Sequence, residues 1–366
     1  MKNRIIETLN KLMLIHGPSG HEQSVATELR NRFRNNNFEV IEDVQGNCIG
    51  FKKGAGNQNI MIFAHMDSVG FLVKKIDENG YIKFERLGGI PEKILPALKV
   101  QIKTRNGDLI NGYIMVKAHH LTSAEEKYKV DSYKNLYIDI GVNSKQEVLD
   151  LGIMIGDPIT YYPDFNILKN DKICGTFADN RRGCAILMLL SDYLKDKEIY
   201  PNIYLVGTVQ EEFSIRGAVT AANRIKPDIA ICVDGAASHD VPGLEGEGEL
   251  KLGHGPVMTL YNFHGRGTLN GSIAHPVLVN MFIEVACQNN IPIQHVASLG
   301  FLTDLAYVQY TNNGVAGIDL GIPSRNGHSP VEVIDIDDVL NLIKLLEKFL
   351  ASINKEISLE RREVCQ

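Results

Sequence analysis

The first 64 residues carry a helical and then an extended pattern of apolar positions. Ile5, Leu9 and Leu12 recur at helical spacing, and a second run with apolar residues at steps of four follows it. The continuous apolar run at 59–64 is typical of a fully buried strand. The pattern therefore predicts helices at 3–14 and 22–34, followed by strands at 38–42, 48–52 and 59–64.

The pattern changes between residues 70 and 163. Short runs of β-type residues alternate there with Gly and Asn turns. A single helix signal interrupts them, the capping box Ser144–Glu147. The segment is roughly 90 residues long, a normal size for a domain. We therefore predict an inserted β-barrel or β-sandwich at 70–163.

After residue 170, strands and helices alternate. This order favours an α/β fold with a mostly parallel sheet and helices on both faces. The predicted domains are 1–69 and 164–355 as the two parts of an α/β domain, 70–163 as the insertion, and 356–366 as a charged tail that frays. Helices are predicted at 180–196, 216–224, 275–289, 303–311 and 336–354, and strands at 202–209, 228–233, 293–297 and 315–320.

Composition and charge narrow the class of protein. The 366 residues are 44% apolar and 22% charged, which suits a large globular domain with a smaller one. The net charge of −6 gives no reason to expect a nucleic-acid partner. We see no signal peptide and no apolar run of about 20 residues that could span a membrane.

The cysteines indicate a reducing compartment. The six cysteines form no CxxC pair. Four of them lie in apolar settings that are typical of buried free thiols: Cys174, Cys184, Cys232 and Cys287. These features predict a cytoplasmic protein.

Metal-type side chains follow the carboxyl ends of four predicted strands. In an open α/β sheet these ends meet along one crevice, where ligands bind. Asp179 joins the group from the start of the helix at 180–196. The strand-end residues are His65 and Asp67, Glu211 and Glu212, Asp234, and His328.

Each of these residues also has an ordinary explanation when it is taken alone. His65 could be a buried histidine satisfied by its neighbour, Asp179 a helix N-cap, and Asp234 part of a turn. The paired glutamates could form a solvated acidic loop, and His328 could be a plain loop residue. Because these explanations are independent of one another, their coincidence at strand ends favours a metal site.

The number of ligands indicates two ions. A mononuclear catalytic zinc needs only three protein ligands, whereas two histidines and three carboxylates suit two zinc-like ions with one carboxylate shared. One of the two paired glutamates is then free to act as a general base. The spacing of Asp67 also allows it to orient His65 while that histidine binds metal.

In these features the chain resembles the tetrahedral, dodecamer-forming metallo-aminopeptidases. That family includes glutamyl and deblocking aminopeptidases, and some of its members have been labelled cellulases. The resemblance covers nearly the whole chain. It is carried by the segments GPSGHE at 17–22, AHMDSVG at 64–70, ADNRRG at 178–183, TVQEE at 208–212 with RGA at 216–218, GIPSR at 321–325 and HSPVE at 328–332.

The resemblance implies a role for each site residue. Asp179 would bridge two divalent ions, which would be zinc or, as alternatives, cobalt or manganese. His65 and Asp234 would complete one metal site, and Glu212 and His328 the other. Glu211 would be the general base, and Asp67 would support His65.

The resemblance also implies an architecture and partners. The fold would be a zinc-exopeptidase-like catalytic domain with an inserted β domain for dimerisation. Dimers would assemble into a hollow dodecamer that acts on peptides. Two segments depart from the family pattern and would change the shape of the pocket: Gly235-Ala236-Ala237 after the ligand aspartate, and the residues around Thr303-Asp304.

Three rival functions remain at this point. A glycoside hydrolase could use two carboxylates, but it would leave His65 and His328 without a role, and the chain contains no Trp. A metal-stabilised binding protein without catalysis would not need a spare base such as Glu211. A related dinuclear amidohydrolase, such as a di- or tripeptidase, fits the motif order and the position of the insertion less well.

Overall fold

The structure is a computed structural model that describes residues 1–244, 246–265 and 267–361. Within these ranges the helices are Lys2–Met13 (α1), Gln23–Asn35 (α2), Lys145–Asp150 (α3), Ala178–Leu194 (α4), Gly217–Ile225 (α5), Pro276–Gln288 (α6), Leu305–Val308 (α7) and Ile336–Ser352 (α8). The first nine strands are Glu39–Glu42 (β1), Cys48–Lys52 (β2), Asn59–His65 (β3), Gly70–Ile76 (β4), Ile82–Leu87 (β5), Lys99–Lys103 (β6), Leu109–Met115 (β7), Tyr137–Asp139 (β8) and Pro158–Tyr161 (β9). The remaining strands are Phe165–Ile167 (β10), Lys172–Gly175 (β11), Asn202–Thr208 (β12), Ile229–Ala237 (β13), Val257–Phe263 (β14), Gly271–Ile273 (β15), Gln294–Leu299 (β16), Ala316–Arg325 (β17) and Glu332–Asp335 (β18).

One large sheet forms the α/β part of the molecule. Its strands lie in the order β1-β2-β12-β3-β13-β17-β18-β11-β10, and β14 joins β15 and β16 to this sheet at β17. The four central strands, β12, β3, β13 and β17, pair in parallel. Pairs joined by short connections, such as β1 with β2, are antiparallel, because a parallel pair needs a crossover of about a dozen residues or more. The predicted mostly parallel sheet therefore describes the centre and not the edges.

Both faces of the central sheet are buried, as its continuous apolar strands predict. Alternate residues of β3 point to opposite faces. Ile60 and Ile62 pack into a core that includes side chains of α1, α2, α4, α6 and α8. Met61 and Phe63 pack into a second core with side chains of α5 and α7. Because β3 is packed on both faces, its position in the sheet is fixed. The position of His65, at the end of this strand, is fixed with it.

The inserted segment forms a closed barrel. Its strands lie in the order β4-β5-β8-β7-β6-β9, with an apolar core of its own that includes Phe71, Ile102 and Ile138. The predicted α/β fold with an inserted β-barrel is confirmed. The domain boundaries at 69/70 and 163/164 stay predictions.

Several local predictions were wrong. The helix predicted at 303–311 is only four residues long in α7, because Tyr310 and Thr311 bond three residues back and close the segment as a tighter turn. β14 and β15 were not predicted. Cys287 is exposed and Cys174 only partly buried.

The carboxyl-terminal tail was predicted to fray, but part of it is held. The backbone of Ile357 exchanges two hydrogen bonds of 3.0 Å with the Gln58 side chain. Residues 362–366 lie outside the described ranges. Among the described helices, none is long and apolar enough to cross a membrane.

Candidate metal centre

The parallel strands place the predicted site residues along one edge. Thr208 at the end of β12 pairs with His65 at the end of β3, and Asp234 in β13 pairs with Gly321 in β17. The paired glutamates follow β12 directly, and His328 lies in the connection that follows β17. The carboxyl ends of these strands therefore bring the candidate ligands together, as the sequence predicted.

Five of these side chains form two groups that share Asp179. His65, Asp179 and Asp234 form one group, and Asp179, Glu212 and His328 form the other, with the ligand-type atoms of each group within 4.8 Å of one another. The two Asp179 oxygens face different groups. Oδ1 lies 3.3 Å from His65 Nε2, and Oδ2 lies 3.8 Å from His328 Nε2. His65 Nε2 is 3.7 Å from Asp234 Oδ1, and His328 Nε2 is 3.5 Å from Glu212 Oε1.

Both histidines are oriented for metal binding. His65 Nδ1 lies 3.2 Å from the backbone carbonyl oxygen of Asp67, and His328 Nδ1 lies 2.6 Å from that of Gly89. Because a carbonyl oxygen only accepts hydrogen bonds, each Nδ1 carries a proton, and the lone pair of each neutral ring is on Nε2. In both cases Nε2 is the atom that faces the carboxylates, which is the orientation of a metal-binding histidine.

One of the candidate carboxylates, Asp179, lacks the donor that a buried acid oxygen normally has. Asp179 Oδ1 is enclosed and has no hydrogen-bond partner within the part of the chain that the structure describes. A buried acceptor without a donor is costly unless another partner, such as a cation, compensates it. Imidazole and carboxylate are ligands that zinc, cobalt and manganese accept. The residues present therefore fit two divalent ions.

The pKa values show how crowded the negative charge is. Burial, together with Glu212, raises the pKa of Glu211 well above its usual value, although His65 opposes the shift. Burial also raises the pKa of Glu212 to about 7, with Asp179 adding to the shift. The Glu212 carboxylate, together with Asp179, raises the pKa of His328 to about 9. Negative charge is therefore concentrated among these side chains, which is a setting that favours cations.

The pKa of Asp179 shifts in the opposite direction to those of Glu211 and Glu212, and its backbone is not helical. Burial alone would raise its pKa, but the Arg182 guanidinium and His65 outweigh burial and hold it below the usual value. Its φ and ψ of −86° and 107° are not helical, although it lies in the first turn of α4. It makes no helix-capping hydrogen bond, since α4 has Phe177 at its N-cap and no side-chain cap. The N-cap explanation of Asp179 is therefore wrong.

Asp67 lies behind His65, but most of its hydrogen bonds go elsewhere. Its Oδ1 is 3.5 Å from His65 Nδ1, farther than the backbone carbonyl oxygen of Asp67 itself. The carboxylate accepts the backbone N–H groups of Glu211 and Glu212 at 3.0 and 3.1 Å, and the Ser19 hydroxyl at 2.5 Å. Asp67 thus supports the paired glutamates as well as the histidine.

A cavity of about 390 Å³ opens onto these residues. Its remaining wall is partly apolar and includes Ile215, Phe301, Leu302 and Tyr307. A second cavity of about 370 Å³ lies next to it and shares Gly89, Asp179, Phe301 and His328. The candidate metal groups therefore lie between two cavities, and Asp179 and His328 line both of them.

The sequence matches the M42 glutamyl aminopeptidases over residues 46–345. The chain belongs to this family. The predicted family and the predicted class of enzyme, an aminopeptidase, are confirmed. The match does not favour a glycoside hydrolase, a related amidohydrolase or a non-catalytic binding protein.

Individual relatives align with this M42 chain along nearly its whole length. It is 38% identical over 349 residues to SgcX of Escherichia coli (strain K12). The alignment covers 94% of this chain and 93% of SgcX. The solved aminopeptidase APDkam598 of Desulfurococcus kamchatkensis superimposes with a TM-score of 0.91 at 33% identity and 96% coverage of both chains. The TET1 peptidase of Pyrococcus horikoshii, which can assemble into a tetrahedron or a large octahedral shell, gives a TM-score of 0.84 at 29% identity, covering 95% of this chain and 100% of that one.

Sequence reasoning on the M42 chain missed Glu332. Its Oε2 accepts the backbone N–H of Asp179, and its Oε1 accepts that of His328, both at 2.8 Å. Glu332 thus ties together two candidate ligands that are 149 residues apart in sequence (328 − 179). The HSPVE segment includes this residue, but nothing in its spacing indicated the contact with Asp179.

Sequence reasoning also missed the contact between Arg182 and Asp179. Its buried guanidinium reaches to 3.4 Å from Asp179 Oδ1. A Cβ atom at Gly235 would lie 1.7 Å from Arg182 Nη2, so a larger residue there would force the guanidinium to move. The absence of a side chain at Gly235 therefore provides the space that the Arg182 guanidinium occupies.

Three other histidines differ in their position relative to the two cavities. His119 and His120 lie in an exposed 3-10 turn at 119–121, next to the barrel strands, and line neither cavity. His264, which had no strand-end signal, lines the cavity at the metal groups.

Proposed function

We propose that this chain removes amino-terminal residues from peptides with two divalent metal ions and Glu211 as the general base. The observation that carries the proposal is the sharing of Asp179 between two histidine–carboxylate groups that open onto a cavity. Two ions with a common carboxylate can act on both sides of one hydrolytic reaction.

The proposed ligands follow from the two groups. His65 and Asp234 would hold one ion, Glu212 and His328 the other, and Asp179 would bind both. When bound, such ions supply Lewis acidity to the scissile carbonyl and lower the pKa of an attacking water. Zinc suits this donor set, and cobalt or manganese are the alternatives.

Glu211 suits the role of general base because it is outside both ligand groups but lines the same cavity. Burial raises its pKa above the usual value of a glutamate. It would accept the proton of the attacking water and deliver it to the leaving amine. Asp67 fixes its backbone, and with it the direction of the side chain.

The barrel would serve as the dimerisation domain. Alternate residues of β7 point away from the barrel core, and three of them are exposed apolar side chains: Leu109, Tyr113 and Met115. Two further apolar side chains in the adjoining segment, Leu121 and Tyr128, are exposed at 72% and 95%. Such a surface favours a protein partner. By similarity to TET1, dimers would build a dodecamer, and the free thiols suit a cytoplasmic location.

The decisive experiment compares Glu211→Gln with Glu212→Gln. Both variants remove one charge from the same loop. We expect Glu211→Gln to keep two metal equivalents and to lose turnover of aminoacyl p-nitroanilides by orders of magnitude. Glu212→Gln should lose the ion at His328.

Metal content and turnover of the untreated, chelated and zinc- or cobalt-restored protein complete the test. The proposal fails if chelation leaves peptide turnover intact, or if the protein cleaves a glucan and no peptide. It also fails for Glu211 if the Glu211→Gln variant loses metal together with activity.

A further inference from the structure

The segment at 17–22 has no part in the proposed mechanism, yet it packs against the loop that carries the paired glutamates. Two of its side chains, Ser19 and Glu22, are buried and polar, with exposures of 5% and 4%. A carboxylate as buried as Glu22 is expected to have hydrogen-bond partners. Its partners connect this segment to the active site.

Three successive backbone N–H groups after β12 each donate to a buried carboxylate. The N–H of Gln210 donates to Glu22 Oε1 at 3.1 Å. Those of Glu211 and Glu212 donate to Asp67 Oδ1 and Oδ2 at 3.0 and 3.1 Å. The backbone that presents the proposed base is therefore held at three consecutive positions.

The carboxylates of Asp67 and Glu22 are in turn held by Ser19 and Gly20 of the segment at 17–22. The Ser19 hydroxyl donates to Asp67 Oδ2 at 2.5 Å, and the Gly20 N–H donates to Glu22 Oε1 at 2.7 Å. Backbone hydrogen bonds also link the segment at 17–22 to Ser68, next to Asp67. The Ser19 N–H donates to the Ser68 carbonyl oxygen, and the Ser68 N–H donates to the Gly17 carbonyl oxygen. The segment thus couples Glu22 and Asp67 into one support.

The loop needs such a support because its backbone is unusual. Gln210 has a φ of 58°, and Ser214 and Ile215 have φ values of 74° and 50°. Residues other than glycine rarely adopt this left-handed region, and they do so where the surroundings hold them there. In a regular strand, the side chains of Glu211 and Glu212 would point to opposite faces. The left-handed turn at Gln210 ends the strand geometry directly before Glu211, and both glutamates line the cavity.

We propose that Glu22 is a positioning residue for Glu211: by holding the Gln210 N–H, it fixes the left-handed turn that directs the proposed base into the cavity. The inference rests on the proposed function, since it concerns the placement of the base assigned there. Glu22 itself lines neither cavity and belongs to neither metal group.

The test uses Glu22→Ala, Glu22→Gln and a matched control in the full-length, metal-loaded protein. Glu22 uses only Oε1 for both hydrogen bonds, so the amide oxygen of glutamine can replace it. Asp338 is the control, because it is also a buried carboxylate that accepts two backbone N–H groups, those of Gly253 and Gly255. Neither Glu22 nor Asp338 lines either cavity.

We expect Glu22→Ala to lower kcat by roughly 10- to 100-fold, with KM within about twofold and two metal equivalents retained, because a misplaced base slows the chemical step. Glu22→Gln should keep kcat within about threefold of the parent protein. Asp338→Ala should lower the melting temperature as much as Glu22→Ala does and leave kcat unchanged. If Glu22→Ala does not fold, Glu22→Asp, whose shorter side chain should not reach the Gln210 N–H, should lower kcat by about threefold or more.

Several outcomes would overturn the positioning role: an unchanged kcat in Glu22→Ala (or in Glu22→Asp, if that variant has to be used), a Glu22→Gln variant as slow as Glu22→Ala, or an equal loss of kcat in Asp338→Ala. Failure of the proposed function looks different. In that case the parent protein itself has no metal-dependent peptide turnover, or Glu211→Gln keeps full activity.

Discussion

Asp179 and Asp319 are two enclosed acids of the same α/β domain with opposite surroundings. Asp319 in β17 accepts the hydroxyls of Thr303 and Ser272 at 2.7 and 2.8 Å and the amide of Asn262 at 3.1 Å. Asp179 accepts no side-chain hydrogen bond at its enclosed Oδ1, which faces a histidine and a guanidinium.

The difference separates a structural acid from a candidate metal ligand. Burial raises the pKa of Asp319 to about 6, even though its neutral donors oppose the shift. Its hydrogen-bonding capacity is satisfied within the fold, and it needs no ion. Asp179 instead meets groups that carry charge or bind metal, which leaves its oxygens available to cations. The chemistry of the neighbours, and not burial alone, decides which acid can bind a metal.

The largest effect is expected from Asp179→Asn. Since Asp179 belongs to both groups, the variant should lose affinity for both ions, and turnover should fall by at least roughly 1000-fold. Metal analysis and turnover of an aminoacyl p-nitroanilide check this. Retention of either ion at the parent affinity would show that Asp179 is not shared.

Glu332→Gln tests an acid between these two cases, because Glu332 holds the backbone of two candidate ligands but belongs to neither candidate metal group. Glutamine can accept only one of the two N–H groups that Glu332 now accepts. Loss of such an outer contact should weaken metal binding by about 10- to 100-fold. Competition with a chelator of known affinity measures the change. An unchanged affinity would mean that the ligand positions do not depend on this contact.

The smallest effect is expected from Ser272→Ala, on the structural side of the comparison. One of three donors to Asp319 is lost, and unfolding of the metal-free protein should become easier by about 1 kcal/mol. Urea denaturation measures this difference, and metal content should not change. A loss of metal without a loss of stability would mean that Asp319 supports metal binding. It would then not differ from Asp179 in the way described above.

Much of the site could be predicted from the chain alone. The apolar runs of β3, β12, β13 and β17 and the metal-type residues that follow them are local features of the sequence. The strand–helix alternation set the fold class, and the change of pattern at 70 located the barrel. These features depend on side-chain periodicity and residue type, which a linear sequence states directly.

Only the tertiary structure decided the contacts between distant segments. Glu22 holds Gln210 across 188 residues, and Glu332 holds Asp179 across 153. The same holds for the antiparallel edges of the sheet and for the space that Gly235 leaves to Arg182. Such contacts depend on strand order, register and packing, which arise from long-range pairing and not from local preference. The sequence by itself determined which residues could bind metal; the fold decided that Asp179 faces both groups and how the base beside them is held.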